Sequence, residues 1–382
     1  PAARSCRSFP PPLLARVLAT VRGCSASRAL SQTPARRASS PARPPRLLPT
    51  GTSLTTTSLA HTRHHRDVTI TLYAARLLGP LVDPRALQRS ANRGDLVRVR
   101  RGVYAEATEW AAADPTERYT ALIRASSMGF HDDRVVSHQS AAALWGLPSI
   151  GEPQRDVHLL VPKTTGGRSD PGIRRHALGV APEDVTVRDG MPVTTLARTL
   201  VDIAATAPLY WAMCAIDHAL YIDRLAPAPM ITKHELMKQW EHMLPFRGHA
   251  RALRILSFAE TGSGSSSETG SRVSIALAGF PAPVLQQHFV VDGRDVWTDF
   301  FWEGERAIGE CDGRQKYLDP ALRGGRTLEE VLLAEKARED GLRRQVRSFQ
   351  RWGSAEAFSP TRLRPKLLEL GLRPSTPRLR GR

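Results

Sequence analysis

Cysteine is scarce in this chain, and the four that occur stand far apart in 382 residues. They are Cys6, Cys24, Cys214 and Cys311. No C-x-x-C pair and no Cys/His spacing suited to zinc occurs, which argues against a zinc ribbon or a disulfide framework and favours a reducing cytoplasm. A glycine-rich phosphate loop, a G-x-S-x-G elbow and an H-E-x-x-H pair are also missing, so none of the enzyme classes that these motifs mark is indicated.

A long apolar run is lacking too. The run at residues 13–21 is too short to span a bilayer, so we expect no membrane segment. Residues 1–66 hold roughly eleven arginines and no acid, a composition typical of a transit peptide, a disordered basic tail or a mis-extended reading frame. The chain begins with Pro1 rather than Met, which favours a mis-extended start, and the first folded domain is expected from residue 67.

The net charge of +17 comes from the two ends of the chain. Residues 1–66 carry about +11 and residues 361–382 about +6, which leaves the middle near zero. Global charge is therefore no argument for nucleic-acid binding, and attraction to phosphate must come from the tails or from a local patch. We predict a basic tail at residues 359–382.

Residues 67–110 have the outline of a winged helix-turn-helix. Apolar residues between 70 and 78 predict a first helix, Pro84 opens a second helix that runs to Asn92, and residues 96–104 predict a β-hairpin. In such a module the second helix enters the major groove of double-stranded DNA and the hairpin reaches phosphates. The candidate DNA-binding residues are Arg85, Gln88, Arg89 and Asn92 on the helix and Arg98, Arg100 and Arg101 on the wing. The alternative is a structural helical lid whose arginines are only solvated.

Residues 111–260 carry patterns of ordinary α/β structure. Ser137 is placed to cap a helix, residues 157–161 form a buried strand pattern, and residues 195–203 form an amphipathic helix. Ser137 and His138 suggest a nucleophile and its base. Neighbours in a helix point about 100° apart, which argues against that pair.

Four stretches of this region carry a family resemblance. They are RGVY at 101–104, VSHQSAAALWGLP at 136–148, VHLLVP at 157–162 and PVTTLARTLVD at 192–202. Together they resemble the abortive-infection type IV antitoxins called AbiEi-like, over residues 68–206. The resemblance implies a protein that regulates its own operon through a winged helix and that has a cognate toxin or regulatory protein as a partner.

Residues 265–312 place four candidate site carboxylates, Glu268, Asp299, Glu310 and Asp312, on a helix and three strands. Ser265 stands three residues before Glu268, the capping-box spacing, so Glu268 is expected in the first turn of a helix that ends at Gly279. Strands are predicted at 285–291, 295–302 and 306–311, joined by tight turns. The GSGS sequence at 262–265 is expected to be a flexible joint that begins this domain.

Folding the second hairpin puts Asp299 opposite Glu310, and the alternation of side chains puts Glu310 and Asp312 on one face. Crowded acids need a compensating cation or a raised pKa, and Mg²⁺ binds carboxylates together with phosphate oxygens and water. The alternative is that Glu268 only caps its helix, Asp299 is a solvated strand residue and residues 310–313 are the start of a turn.

A second resemblance rests on Glu268 and four stretches that follow it. These are AGFPAP at 278–283, WTDF at 297–300, GECDG at 309–313 and EKARED at 335–340. In this order they resemble bacterial domains related to the very-short-patch repair endonucleases, which belong to the PD-(D/E)XK, restriction-endonuclease-like superfamily. The resemblance covers residues 262–358.

This resemblance implies that Asp299 and Glu310 bind a metal ion and that Glu268 is the acid on the helix. The superfamily pattern has Lys two residues after the Glu, where this chain has Asp312. Lys316 or Lys336 is then the candidate for the missing positive charge, and Asp312 is a candidate to orient water.

The sequence therefore predicts a mixed α/β (α+β) protein with an N-terminal winged-helix, antitoxin-like region. Its C-terminal region is expected to be a restriction-endonuclease-like mixed sheet flanked by helices. We expect a cytoplasmic endonuclease that uses Mg²⁺ or Mn²⁺ to hydrolyse phosphodiester bonds of double-stranded DNA. The alternative is a non-catalytic DNA-binding regulator or antitoxin. After residue 312 we expect a loop, a charged helix at 327–344 and a last strand at 346–349.

Overall fold

The computed structural model describes residues 70–75, 84–128, 134–165, 169–223, 228–311 and 327–375. Within these residues the helices and strands form three consecutive groups, built on sheets of three, five and four strands. The predicted mixed α/β (α+β) class is confirmed. The predictions for residues 1–66, Asp312 and Lys316 lie outside the described residues. Within the described ranges, no helix has the length and apolar character needed to cross a membrane.

The N-terminal group is an antiparallel sheet of order β1-β3-β2 with three helices. Its elements are β1 (Leu72–Ala74), α1 (Pro84–Arg93), β2 (Leu96–Arg100), β3 (Val103–Glu106), α2 (Ala107–Ala112) and α3 (Pro115–Ser127). The second predicted helix and the hairpin are confirmed. The first predicted helix is wrong at residues 72–74, because this segment pairs with β3 and satisfies its backbone hydrogen bonds in the sheet.

The central group is a mixed sheet of order β6-β5-β4-β8-β7 covered by helices. Its elements are β4 (Val135–Val136), α4 (His138–Leu144), β5 (Val157–Leu160), β6 (Ile173–His176), β7 (Val185–Arg188), β8 (Met191–Thr194), α5 (Leu196–Thr206), α6 (Leu209–Leu220), α7 (Lys233–His242) and α8 (His249–Phe258). Short 3-10 turns occur at Lys163–Thr165 and Pro182–Asp184. Strand β5 is buried at all of its positions, as its apolar sequence predicts.

The C-terminal group is a mixed sheet of order β12-β11-β10-β9 flanked by helices. Its elements are α9 (Ser266–Leu277), β9 (Val284–Val291), β10 (Arg294–Trp302), β11 (Ala307–Cys311), α10 (Leu328–Arg343), β12 (Ser348–Trp352), α11 (Ser354–Ala357) and α12 (Pro360–Glu369). The first three strands run antiparallel, and the chain crosses through α10 to place β12 parallel to β11. The three predicted strands agree with the structure to within one residue at each end.

The predicted basic tail at residues 359–382 is wrong for its first part, which forms helix α12. Leu363, Leu367, Leu370 and Leu372 are buried in the C-terminal core. Leucines four residues apart lie on one face of a helix, so this face packs while the basic side chains lie on the others.

Helix α9 belongs to two cores. Val273 and Ala276 pack against the central helices, whereas Ile275 packs in the C-terminal core. A buried ion pair adds to this contact, since Arg272 Nη2 lies 2.6 Å from Asp217 Oδ2 on α6. The central and C-terminal groups therefore share packed structure.

The expected flexible joint at residues 262–265 is instead part of this packing. Ser263 is only 2% exposed. A Cβ added at Gly264 would come within 3.0 Å of the Tyr221 ring, so glycine there allows a close approach of the backbone to the ring.

Candidate active site

Two of the predicted acids, Asp299 on β10 and Glu310 on β11, lie on neighbouring strands. The ladder pairs Phe300 with Gly309, and the same register continued by one residue places Asp299 across from Glu310, as the hairpin predicts. The N–H of Cys311 donates to Asp299 Oδ2 at 2.8 Å, which ties this carboxylate to β11. The two acids are therefore adjacent at one point of the sheet.

Glu268 lies in the first turn of α9, and Ser265 caps that helix as predicted. Ser265 Oγ accepts from the Glu268 N–H at 3.2 Å and donates to Glu268 Oε1 at 2.8 Å. The other oxygen, Glu268 Oε2, accepts from the N–H of Gly264 at 3.0 Å. The capping role of Glu268 is thus present, and it leaves the carboxylate at the start of the helix.

Gln286 of β9 contacts Glu268 from the sheet. The residues before and after Gln286 in β9 pair with the residues on either side of Asp299 in β10. Gln286 therefore lies opposite Asp299 in the β9–β10 ladder. Gln286 Nε2 donates to Glu268 Oε2 at 3.2 Å. The φ of Gln286 is +53°, in the left-handed region that non-glycine residues rarely adopt. Irregular strand positions of this kind redirect side chains and occur often beside functional sites.

Glu310 is 5% exposed and is bound by two arginines. Arg338 of α10 donates from Nη2 to Oε1 at 2.6 Å and from Nη1 to Oε2 at 3.0 Å, which is a bidentate pair. Arg351 of β12 lies directly across from Glu310 in the parallel ladder and donates from Nη2 to Oε2 at 2.9 Å. Both oxygens of this buried acid are therefore satisfied by guanidinium groups.

The two arginines also contact the acids of α10. Glu335 accepts from Arg338 Nη1 at 3.1 Å and from Arg351 Nη2, and Glu339 Oε2 lies 3.3 Å from Arg351 Nε. Burial lowers the pKa of Arg338, but the hydrogen bonds and charges of Glu310 and Glu335 outweigh it, so its pKa is raised overall. Arg338 therefore remains charged.

Lys336 does not take the place of the missing superfamily lysine. It lies on the exposed side of α10, two residues before Arg338, and residues two apart in a helix do not share a face. This corrects the expectation for Lys336, because Arg338 and Arg351 supply the positive charges beside Glu310.

The kind of ligand that Asp299 and Glu310 offer fits Mg²⁺ or Mn²⁺, since adjacent carboxylates are the oxygen donors that hard cations take. Across the residues that the structure describes, no three His, Cys, Asp or Glu side chains are grouped as a complete metal site. Glu310 would also have to leave its arginines before it could bind an ion. As they stand, Asp299 and Glu310 are two adjacent acids of a kind that could bind a cation only after Glu310 leaves its arginines.

The predicted DNA-binding residues fall into two sets. Arg85, Gln88, Arg89 and Asn92 share the exposed face of α1, as their spacing predicts, and Arg98 and Arg101 are exposed on the hairpin. Gln88 is partly engaged within the protein. Its Oε1 accepts from Tyr104 Oη at 3.0 Å, and its Nε2 donates to Asn92 Oδ1 at 3.0 Å.

Arg100 turns toward the protein interior. Its Nε donates to Ser126 Oγ at 2.9 Å, and its Nη2 donates to the carbonyl oxygen of Gly172. Burial lowers the pKa of Arg100. This corrects the expectation that Arg100 reaches phosphate, because its guanidinium joins the wing to the central group.

The central group contains a histidine cluster that sequence reasoning missed. The rings of His138 and His176 stack with centroids 3.7 Å apart, and His158 Nδ1 lies 3.1 Å from His176 Nε2. Burial lowers the pKa of His138 and of His158 to about 3 each and that of His176 to about 4, so the three rings are neutral near neutral pH. The three histidines lie far apart in sequence, and no local pattern indicates their contact.

Ser137 and His138 do touch, which corrects the argument that helical neighbours point apart. His138 Nδ1 lies 3.0 Å from Ser137 Oγ. Ser137 precedes α4 and His138 has a φ of +50°, so the angular spacing of a helix interior does not apply. Both side chains are buried, at 0% and 1% exposure, so we assign no nucleophile to this pair.

Fold and site define a mixed α/β protein whose C-terminal sheet carries two adjacent acids, of which Glu310 is bound by two arginines. No family model matches the chain. It is similar to two proteins from two strains of Mycobacterium tuberculosis, Uncharacterized protein MT2308 and Uncharacterized protein Rv2248. Each is 29% identical over 242 residues, which is 62% of this chain and 80% of the relative. These names state no activity.

Proposed function

We propose that this chain is a metal-dependent endonuclease-like protein that hydrolyses phosphodiester bonds of DNA. The observation that carries the proposal is the alignment of Gln286, Asp299 and Glu310 across three adjacent strands. Glu268 extends this row by its hydrogen bond to Gln286. Carboxylate oxygens are ligands that the metal ion of a hydrolytic site takes, which supports the proposal.

Asp299 and Glu310 would hold Mg²⁺ or Mn²⁺, with Glu268 as the outer acid. The ion, when bound, lowers the pKa of an attacking water and polarises the phosphoryl group. The protein orients these ligands in advance, because the Cys311 N–H fixes one oxygen of Asp299 and Ser265 fixes one oxygen of Glu268.

Arg338 and Arg351 would control the availability of Glu310. Guanidinium groups bind phosphate with the same bidentate geometry that they use for carboxylate. A DNA phosphate that enters the site would compete for these arginines and release Glu310 to act as a ligand. The same two arginines would then stabilise negative charge on the reacting phosphate.

A cleavage assay on plasmid DNA with Mg²⁺ or Mn²⁺ tests the proposal. Asp299→Ala and Glu310→Ala are expected to abolish cleavage. Asp295→Ala is the matched control, since Asp295 lies on the same strand and its carboxylate contacts His288 at 2.7 Å instead of the acids. Cleavage that is unchanged in Asp299→Ala and Glu310→Ala would defeat the assignment.

The second candidate is a non-catalytic DNA-binding regulator or antitoxin. The observation that favours it is the saturation of Glu310 by two arginines, which is a stable arrangement without a metal. In that case a gel-shift assay shows DNA binding that depends on Arg85 and Arg89, while no metal supports cleavage. Cleavage that depends on Asp299 would exclude this candidate.

We further propose a cytoplasmic location and a cognate toxin or regulatory protein as partner. Cys214 and Cys311 are buried and form no disulfide in the part of the chain that the structure describes, a state that a reducing compartment preserves. Recovery of the protein outside the cytoplasmic fraction would contradict the location. Failure of the protein to suppress the toxicity of a neighbouring gene product would contradict the partnership.

A further inference from the structure

Helix α12 presents a basic surface on the C-terminal group. It carries three basic side chains, Arg362, Arg364 and Lys366, and one acid, Glu369. Arg373 follows shortly after the helix ends. The three arginines are exposed and Lys366 is partly exposed. These four basic residues, named the α12 patch below, present net positive charge to solvent.

The charges of the α12 patch are not neutralised within the protein. At the end of α10, by contrast, Arg343 lies 2.7 Å from Glu339 and Arg344 lies 3.4 Å from Asp292. Across the residues that the structure describes, no carboxylate lies within ion-pair distance of the α12 patch. The patch therefore keeps its attraction for an anionic ligand.

Packing holds the α12 patch in place. The leucines on the inner face of α12 are buried in the C-terminal core. Ser348 Oγ, at the start of β12, donates to the carbonyl oxygen of Leu370 at 2.9 Å, and the N–H of Ser375 donates to that of Gly279 at 2.6 Å. Basic side chains on an anchored backbone lose less freedom on binding than those of a disordered tail, so they bind a ligand at a lower entropic cost.

The α12 patch lies beside the strand that serves the candidate active site. Lys366 Nζ donates to Gln350 Oε1 at 3.4 Å, and the next residue of β12, Arg351, binds Glu310. Successive residues of a strand point to opposite faces, so the patch and the acids lie on opposite faces near one edge of the sheet. Arg347 is exposed directly before β12. Positive charge therefore extends around this edge.

The chemistry of the surface favours DNA over a lipid membrane. A helix that binds a lipid surface inserts an apolar face, whereas the leucine face of α12 is already buried. On α12, all of which the structure describes, Leu368 is the one large apolar side chain that is exposed, at 37%. Arg362 and Lys366 are about 6 Å apart along the helix axis, so they can contact different phosphates of one strand.

We propose that the α12 patch binds the phosphate backbone of DNA and forms a second contact surface for the duplex. The choice of DNA as the partner rests on the proposed function, and the surface is the new assignment. Each basic side chain of the patch contacts a phosphate oxygen. Contacts to phosphates position a protein on the duplex without reading its sequence, so binding here does not depend on sequence.

Fluorescence anisotropy of duplex DNA with the full chain tests this surface. EDTA is present so that no cleavage occurs, and salt is varied between about 50 and about 200 mM. Arg362→Gln is expected to weaken binding about fivefold near physiological salt, for AT-rich and GC-rich duplexes alike, and to reduce the slope of log K against log salt by about one. Arg364→Gln repeats the test on the other side of the helix.

Arg294→Gln is the matched control. It removes one exposed charge that has no ion pair among the described residues, from the turn between β9 and β10 at the other edge of the sheet. It should leave the affinity and the slope close to those of wild type. All three variants should keep the urea midpoint of unfolding, because the replaced side chains are exposed.

The proposal is overturned if Arg362→Gln and Arg364→Gln bind DNA with the same affinity and slope as Arg294→Gln, which is the result for a merely solvated face. Binding to phosphatidylserine vesicles that requires Arg362, without binding to DNA, also overturns it. Failure of the proposed cleavage is a separate result. Asp299→Ala tests it through loss of cleavage, and this variant should bind DNA in EDTA as wild type does.

Discussion

Replacing Glu310 by Gln probes the arginine pair at the candidate active site. Three N–H···O contacts reach this carboxylate, at 2.6, 3.0 and 2.9 Å. Removing one partner from a buried ion pair costs about 3 to 5 kcal/mol, because the remaining charge stays buried. Here Arg338 and Arg351 are 25% and 21% exposed and keep contact with Glu335, so we expect a loss of about 2 to 3 kcal/mol.

Urea denaturation near neutral pH measures this loss. Glu335→Gln is the matched control, since Glu335 contacts the same two arginines but is 27% exposed, and we expect it to cost less than about 1 kcal/mol. Both variants should show the m-value of the wild type, which confirms that the same surface is exposed on unfolding. A small and equal loss in the two variants would refute the buried ion pair and the idea that arginines restrain Glu310.

Gly309→Ala should lower stability by about 1 to 3 kcal/mol, since the new Cβ collides with the Trp352 ring, and an unchanged melting temperature would contradict that packing. The free energy of unfolding should also decrease as the pH is lowered. His138 and His158 have a pKa of about 3 in the folded protein, below the unfolded value of about 6.5, so the unfolded state binds more protons as the pH falls through this window. Burial raises the pKa of Asp202 to about 6, which opposes part of this loss. His176, with a pKa of about 4, adds to the loss from the other two histidines. From about pH 7 to about pH 5 we therefore expect a net loss of about 4 kcal/mol in the free energy of unfolding, and greater stability at the lower pH would contradict the neutral histidine cluster.

The elements that the sequence predicts best are those with local signals. Ser265 three residues before Glu268 defines the start of α9, and two short turns define the hairpins that set Asp299 beside Glu310. These relations depend on residues close together in the chain, and the structure agrees with them.

Other features depend on contacts between distant segments. Arg351 and Arg338 meet Glu310 only because β12 pairs with β11 and α10 crosses beside the sheet. The inward turn of Arg100 depends on Gly172, more than seventy residues away. The positive φ of Gln286 is likewise set by surrounding structure, and two consecutive glutamines in a strand give no indication of it.

Composition misled the prediction for the end of the chain. The net charge of this segment comes from side chains outside the buried face of α12. The packing of the helix depends instead on Leu363 and Leu367, which are buried. Periodicity in the short segment 360–369 was therefore the better signal, because a few buried leucines outweigh several solvated charges.

Calorimetry with Mn²⁺ in the presence of a short DNA duplex tests the central claim most directly, with Asp299→Asn as the comparison. We expect wild type to bind the ion and Asp299→Asn to lose that binding. We expect Arg338→Gln to bind more tightly in the absence of DNA, because only Arg351 then holds Glu310. Equal, weak binding of Mn²⁺ in all three proteins would contradict the claim that Asp299 and Glu310 form a metal site.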